Sequence, residues 1–393
     1  MASMAALPVA RAADDIKIGL LFDVTGPVAN FVPPMLDAVK LAVDQVNAQG
    51  GILGGRRLAT VVADTQCTPE TAVDAANKLV KVEHVPIVIG PLLSGTTLAA
   101  ARSVFVPAGV IQISPTATTA ELTTLKDNDW VFRLAPSDAY QGLVLAHLVA
   151  TRGLKRVALT YADDDYAAGI ADTFRTAYLR LGGRLTADLK HQENQATYEA
   201  ELAILAKGKP QALVLIAFAG AGGITMVKEA LAGGFFTRFI GTDSLRDDLL
   251  IKEVGADKLK AALFTSPTSP PVTPSVEKFE SAYAAAYQTT KDKLFIRQAY
   301  DASFLAALAI EKAGSLDRRK IRDGLRALCT PGGDVIGPAE WQRAVSLLKA
   351  HKRISYEGAS GNCNFDKNGD VAGVIGEFVV EGGHYKQVGL VKP

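Results

Sequence analysis

The chain has 393 residues, too many for one small domain and enough for two of ordinary size. Hydrophobic residues make up 48% and charged residues 21%, values that exclude a disordered chain. Lys and Arg total 42 against 41 Asp and Glu, so the basic excess on which nucleic-acid binding rests is missing. The first dozen residues end in Ala10-Arg11-Ala12 before Ala13, a small-residue cleavage pattern; residues 1–13 read as a signal-peptide remnant or tag, with a flexible Ala-rich terminus as the plainer alternative. A strand is expected at Ile16–Phe22, closed by Thr25-Gly26-Pro27, then a helix in which Leu36, Val39, Val43 and Val46 share a face and Gly50-Gly51 follow. Leu58–Ala63 is the next strand. Thr68-Pro69-Glu70 opens a helix with a cap, a proline in its first turn and an acid.

Further strands are expected at Val85–Gly90, Val110–Ser114, Val157–Tyr161, Ala212–Phe218 and Phe239–Thr242. Each is nearly all apolar, the pattern of a parallel sheet covered by helices on both faces. The most apolar run, Ala212–Ile224, is too short and glycine-broken to cross a membrane. From Ser269 a Pro-rich stretch leads to a capped helix facing inward through Val276, Phe279, Tyr283 and Tyr287. Helices at Arg297–Ala313 and Asp317–Leu328 follow, and Gly376–Leu390 reads as a hairpin turning at Gly382-Gly383. The sum is an α/β fold, doubly wound with parallel sheets, as two similar lobes.

Catalytic signatures fail on inspection. Gly50–Gly55 precedes a strand instead of following one, and Gly220-Ala221-Gly222-Gly223-Ile224-Thr225 ends in threonine where a dinucleotide turn needs glycine. There is no P-loop, no HExxH and no GxSxG. The five histidines are scattered among polar neighbours and read as surface residues. Asp366-Lys367-Asn368-Gly369-Asp370 reads as a hairpin turn rather than a calcium loop, because Val371 stands where that loop requires glycine. Asp163-Asp164-Asp165 reads as a solvated acidic loop. No cofactor and no metal are expected. Of the three cysteines, Cys329 and Cys363 could form a bridge if the protein is exported, leaving Cys67 free; three free thiols are the alternative.

What remains is a set of hydroxyls at strand ends, where open α/β sheets bind ligands. Ser94-Gly95-Thr96-Thr97 follows one strand and Thr116-Ala117-Thr118-Thr119 follows the next. Hydroxyls and helix-start N–H groups make a neutral grip for a carboxylate, although Ser and Thr are also ordinary helix caps.

Several segments now carry a resemblance: DIKIGLLFDVTGPVANF (15–31), VNAQGGILGGRRL (46–58), ADTQCTPETAVDAANKLV (63–80), VIGPLLSGTT (88–97), ISPTATTAEL (113–122), RFIGTD (238–243) and NFDKNGD (364–370). In this order the chain resembles, from Asp14 onward, the type I periplasmic binding proteins of branched-chain amino acid ABC transporters. The resemblance implies two lobes closing by a three-strand hinge, with crossings near Ala135, Thr265 and Asp366. One lobe is then 14–135 with 265–366, the other 136–264 with 367–393.

Matched to that family, Ser94 and Thr118, with neighbouring Gly95 and Ala117, hold a ligand carboxylate, and the carbonyl of Thr116 meets the ammonium. Asp243 stands where those proteins place an ammonium-binding glutamate, with a helix-capping role as the alternative. Tyr166, Phe31 and Phe295 match cleft aromatics that could equally be core. Departures concern the side-chain pocket and a local bridge. Leu93 replaces the family partner of Cys67. Ala219, beside Phe218, stands where an aromatic is usual and is expected to enlarge or reshape the pocket. Arg297 replaces another aromatic and either meets a second anion or faces outward.

The resemblance implies an exported, periplasmic solute-binding component that makes and breaks no bonds. It would carry a small carboxylate, first of all an amino acid, to an ABC permease. An aromatic carboxylate, a cytoplasmic amide or amino-acid sensor of the same fold, and a doubly wound enzyme are the competing readings.

Overall fold

The computed structural model describes residues 14–268, 272–288 and 293–392. The expected signal remnant and the start of the Pro-rich stretch at Ser269 lie outside the described residues. Strands β1 (Ile16–Phe22), β2 (Leu58–Asp64), β3 (Ile87–Ile89), β4 (Ile111–Ser114) and β5 (Val131–Arg133) form a parallel sheet in the order β2-β1-β3-β4-β5. Strands β6 (Arg156–Ala162), β7 (Arg184–His191), β8 (Leu213–Ile216), β9 (Phe239–Gly241) and β10 (Leu263–Thr268) belong to a second sheet. Strands β11 (Asp334–Ile336), β12 (Ile354–Gly358) and β13 (Gly361–Asn362) make a small third sheet. The antiparallel pair β14 (Val374–Glu381) and β15 (His384–Val391) completes the second, in the order β15-β14-β10-β9-β8-β6-β7.

Burial follows position in the sheet. The central strands β3, β4, β8 and β9 are buried at every residue, whereas edge strand β2, after a buried Leu58, alternates half-buried and exposed positions through Val62. Two cores result. One packs helices Val32–Ala48 and Ile296–Ala313 against the first sheet; the other fills the space around β6, β8 and β9. The Thr68 hydroxyl caps its helix by accepting the Thr71 N–H at 3.2 Å, and Thr273 caps Pro274–Tyr287 in the same way. Val276, Phe279 and Tyr283 face inward as expected, and the Tyr283 and Tyr287 hydroxyls donate to the carbonyls of Pro34 and Asp37.

Where the chain passes between sheets, polar side chains tie the strands. The guanidinium of Arg133 is buried and makes a two-pronged contact with Asp370, at 2.6 and 2.8 Å. The segment 366–370 is a tight turn as expected, closed by the Asp366 N–H on the Asp370 carbonyl at 2.8 Å and the Gly369 N–H on the Asp366 carbonyl at 3.2 Å, but it does not close a hairpin. It joins β13 to β14, which do not pair with each other, and its Asp366 carboxylate accepts the N–H groups of Asn368 and Asp370. Among the described residues no group of side chains could hold a metal ion there or elsewhere. Thr265, expected at a lobe boundary, lies inside β10, which stays paired with β14 to Thr268.

Cys329 and Cys363 form a disulfide, with 5.0 Å between Cα atoms, pinning the end of helix Arg318–Leu328 beside the small sheet; Cys67 is free. One histidine departs from the surface reading. His191 is buried at the end of β7 with Nδ1 2.8 Å from the Thr160 hydroxyl, and burial lowers its pKa to about 4. No helix among the described residues is long and apolar enough to cross a membrane.

Candidate functional site

The carboxyl ends of the strands in the two large sheets face one another across a cavity that opens to solvent. Phe31, Ser94, Thr116, Thr118, Tyr166, Phe218, Asp243 and Phe295 all line it. Gly95, Ala117 and Ala219 do not: Ala117 and Ala219 are buried behind the wall, and Gly95 lies beside Ser94 facing Asp165. Sequence reasoning missed Val28, Met35, Leu92, Leu93, Ser244 and Leu294, which complete the lining. Only their adjacency to the expected residues could have signalled them.

The wall from the first sheet is built by a buried carboxylate. Asp23 accepts the N–H groups of Leu92 and Leu93, at 2.8 and 3.2 Å, and the hydroxyl of Thr96 at 3.1 Å. This holds the corner after β3, where Gly90 must lack a side chain because a Cβ would sit 2.0 Å from the Leu21 carbonyl oxygen. Ser94 is then presented at the first turn of a helix whose cap, Leu93, gives no side-chain bond. The Ser94 oxygen accepts the Thr119 N–H at 3.2 Å, leaving its own proton for a ligand. On the next corner Ser114 accepts the Ala117 N–H at 2.9 Å and donates to the Pro91 carbonyl. Thr119, not Thr118, caps the short helix that follows. The capping alternative is thus excluded for Ser94 and Thr118.

The opposite wall is acidic. Asp243 is buried; Gln141 donates to its Oδ1 at 2.6 Å and the Tyr166 hydroxyl lies 3.1 Å from it. Burial raises the Asp243 pKa, and these bonds with the nearby charge of Arg246 offset that only in part. Helix Asp248–Val254 is capped by Asp247, so Asp243 has no capping task. Asp138, absent from the sequence reading, stands beside it fully buried, its main-chain N–H on the Thr118 carbonyl at 2.7 Å. Burial drives the Asp138 carboxyl well above its usual range; Asp243 and Asp164 push the same way, and the nearby Thr118 side chain and Arg133 oppose them. Nor is Asp164 solvated: it caps helix Asp165–Arg180 through the Ala167 N–H at 2.7 Å, and burial raises it to about 6.

The far end of the cavity is apolar. The Tyr166 and Phe218 rings stand 5.4 Å apart, so Phe218 supplies an aromatic wall and the small Ala219 does not widen the space. Arg297 is held by Glu280 in a neighbouring crevice and is not on the wall of this cavity.

A family model described as periplasmic binding protein matches residues 15–349. The leucine-, isoleucine-, valine-, threonine- and alanine-binding protein of Pseudomonas aeruginosa is 28% identical over 361 residues, 92% of this chain and 88% of that protein. A Leu/Ile/Val-binding protein of Rhizobium johnstonii is 31% identical over 324 residues, covering 81% and 84%. Among solved structures, a branched-chain amino acid transporter substrate-binding protein of Streptococcus pneumoniae in complex with isoleucine superposes with a TM-score of 0.81 at 27% identity, covering 97% and 100%. A solute-binding protein from R. palustris in complex with benzoate shares the fold, with a TM-score of 0.78 at 20% identity, covering 96% and 97%.

Proposed function

This chain belongs to the periplasmic binding protein family, and on that premise we propose that it captures a free α-amino acid with an apolar side chain and delivers it to the membrane permease of an ABC transporter. It performs no bond chemistry. The observation that carries the reading is the pairing of opposite walls: neutral hydroxyls at Ser94 and Thr118 face a buried acid at Asp243. A zwitterion satisfies both, its carboxylate on the hydroxyl wall and its ammonium against Asp243. The aliphatic or aromatic part then lies among Phe31, Met35, Phe218 and Phe295, and the Leu/Ile/Val-binding relatives support that choice.

The two lobes, 14–135 with residues that follow Thr268 up to about 366 and 136–268 with 367–393, close on the ligand by a hinge at the three crossings. The disulfide between Cys329 and Cys363 supports an oxidising, exported location, because such bridges are rare in the cytosol. That favours the transport role over a cytoplasmic sensor.

A second reading keeps the transport role but changes the solute to an aromatic carboxylate. The three phenylalanine rings and the raised pKa of Asp243, which allows a neutral carboxyl, favour it. A thermal-shift screen across the amino acids, benzoate and cinnamate tests both. The amino-acid reading expects leucine-like compounds to raise the melting temperature, by about 4 kcal/mol of stability at a thousand times the dissociation constant. A response to benzoate alone would replace it with the second.

A further inference from the structure

Gly220 opens the glycine run that failed as a phosphate motif, and the cleft accounts for it. Its residue neighbour but one, Phe218, lines the cavity from the second sheet, and Pro27, opposite, precedes cavity residue Val28 of the first. A Cβ at position 220 would stand 2.6 Å from the Pro27 carbonyl oxygen, 3.5 Å from its carbonyl carbon and 3.7 Å from its Cα. These nearest atoms all belong to the other side of the cleft. Gly222 and Gly223 differ, since their added atoms would strike Tyr198, Leu245 and Phe218 of their own lobe. The φ of Gly220 is not positive, so alanine is compatible with its backbone and a local folding role does not explain the glycine.

We infer that Gly220 is a positioning residue for closure: its bare backbone is the seat on which Pro27 comes to rest, and it sets how far the cleft shuts on its ligand. A side chain there holds the lobes apart at the rim and lowers the closed population, which lowers apparent affinity by the same factor. The inference rests on the capture-by-closure reading above.

The test reads closure directly. Lys293 and Asp248 face each other across the cleft, with 2.6 Å between Nζ and Oδ2. In a Cys67→Ser background, Lys293→Cys with Asp248→Cys can be joined by a short bis-maleimide only when the lobes approach. Without ligand, Gly220→Val is expected to slow that cross-link about tenfold and Gly220→Ala about threefold. Gly389→Ala, at a site with nothing within 4 Å, leaves the rate unchanged. The melting temperature of unliganded Gly220→Ala stays at the parent value, which separates closure from folding and keeps the comparison decisive if the valine variant does not fold. Equal cross-linking rates for the parent and folded Gly220 variants overturn the seat. Millimolar L-leucine should speed the parent cross-link. If neither leucine nor any other amino acid does, the amino-acid reading fails, while the ligand-free comparison still decides the role of Gly220.

Discussion

The two walls of the cleft solve opposite electrostatic problems. The wall from the first sheet presents the hydroxyl of Ser94, tied to a neutral partner, and buries one acid, Asp23, whose carboxylate is satisfied by the N–H groups of Leu92 and Leu93 and the Thr96 hydroxyl. The wall from the second sheet carries Asp243, with Asp138 and the half-buried Asp164 behind it, and both carboxylate oxygens of Asp138 lack a hydrogen-bond partner among the described residues. Buried acids close together destabilise one another and the fold that holds them. One wall is complete without a ligand; the other is relieved by a positive group.

The largest test of that contrast is Asp243→Ala. It should weaken binding of amino acids by about 3 kcal/mol, more than a hundredfold, since the ammonium would be buried without its partner. Calorimetry showing unchanged affinity for leucine-like ligands would remove the acidic wall from recognition.

Next in size is a pH effect. The Asp164 carboxyl is raised by burial from 3.8 to about 6. In this interval the folded protein holds a proton that the unfolded chain has released, so stability falls as pH rises through it. Asp164→Asn keeps the helix cap and should recover about 2 kcal/mol at pH 8, measured by denaturant unfolding, with almost none recovered at pH 3. His191 runs the other way: held near pKa 4, it costs stability as pH falls below about 6.5, and His191→Gln should flatten that acid limb.

The smallest change is expected on the neutral wall. Ser94→Ala removes one hydrogen bond to a carboxylate and should cost about 1–2 kcal/mol of affinity for amino acids and aromatic acids alike. An effect as large as that of Asp243→Ala would erase the distinction between the walls.

Much of the fold was legible because the central strands are buried on both faces and therefore spell uninterrupted apolar runs; β3, β4, β8 and β9 all lie where such runs are. The missed strands carry a different signal. Edge strand β7 reads RLTADLKH, polar because only part of it is covered, and β5, at three residues, is too short for any period. The hydroxyls of Ser94 and Thr118 could be found because their motifs are local. Asp138 could not, since at the head of helix Asp138–Thr151 it looks like an ordinary first-turn acid.

The order of apolar runs, caps and turns in the chain determined an α/β architecture, and hydroxyls at successive strand ends determined one half of the proposed grip. The tertiary structure alone decided that Asp243, far along the chain, faces that grip, that Phe218 rather than Ala219 forms the wall, and that Gly220 meets Pro27. The physical reason is range. Periodicity and capping act within a few residues, whereas burial, pKa and close contact depend on which distant segments the two sheets bring together.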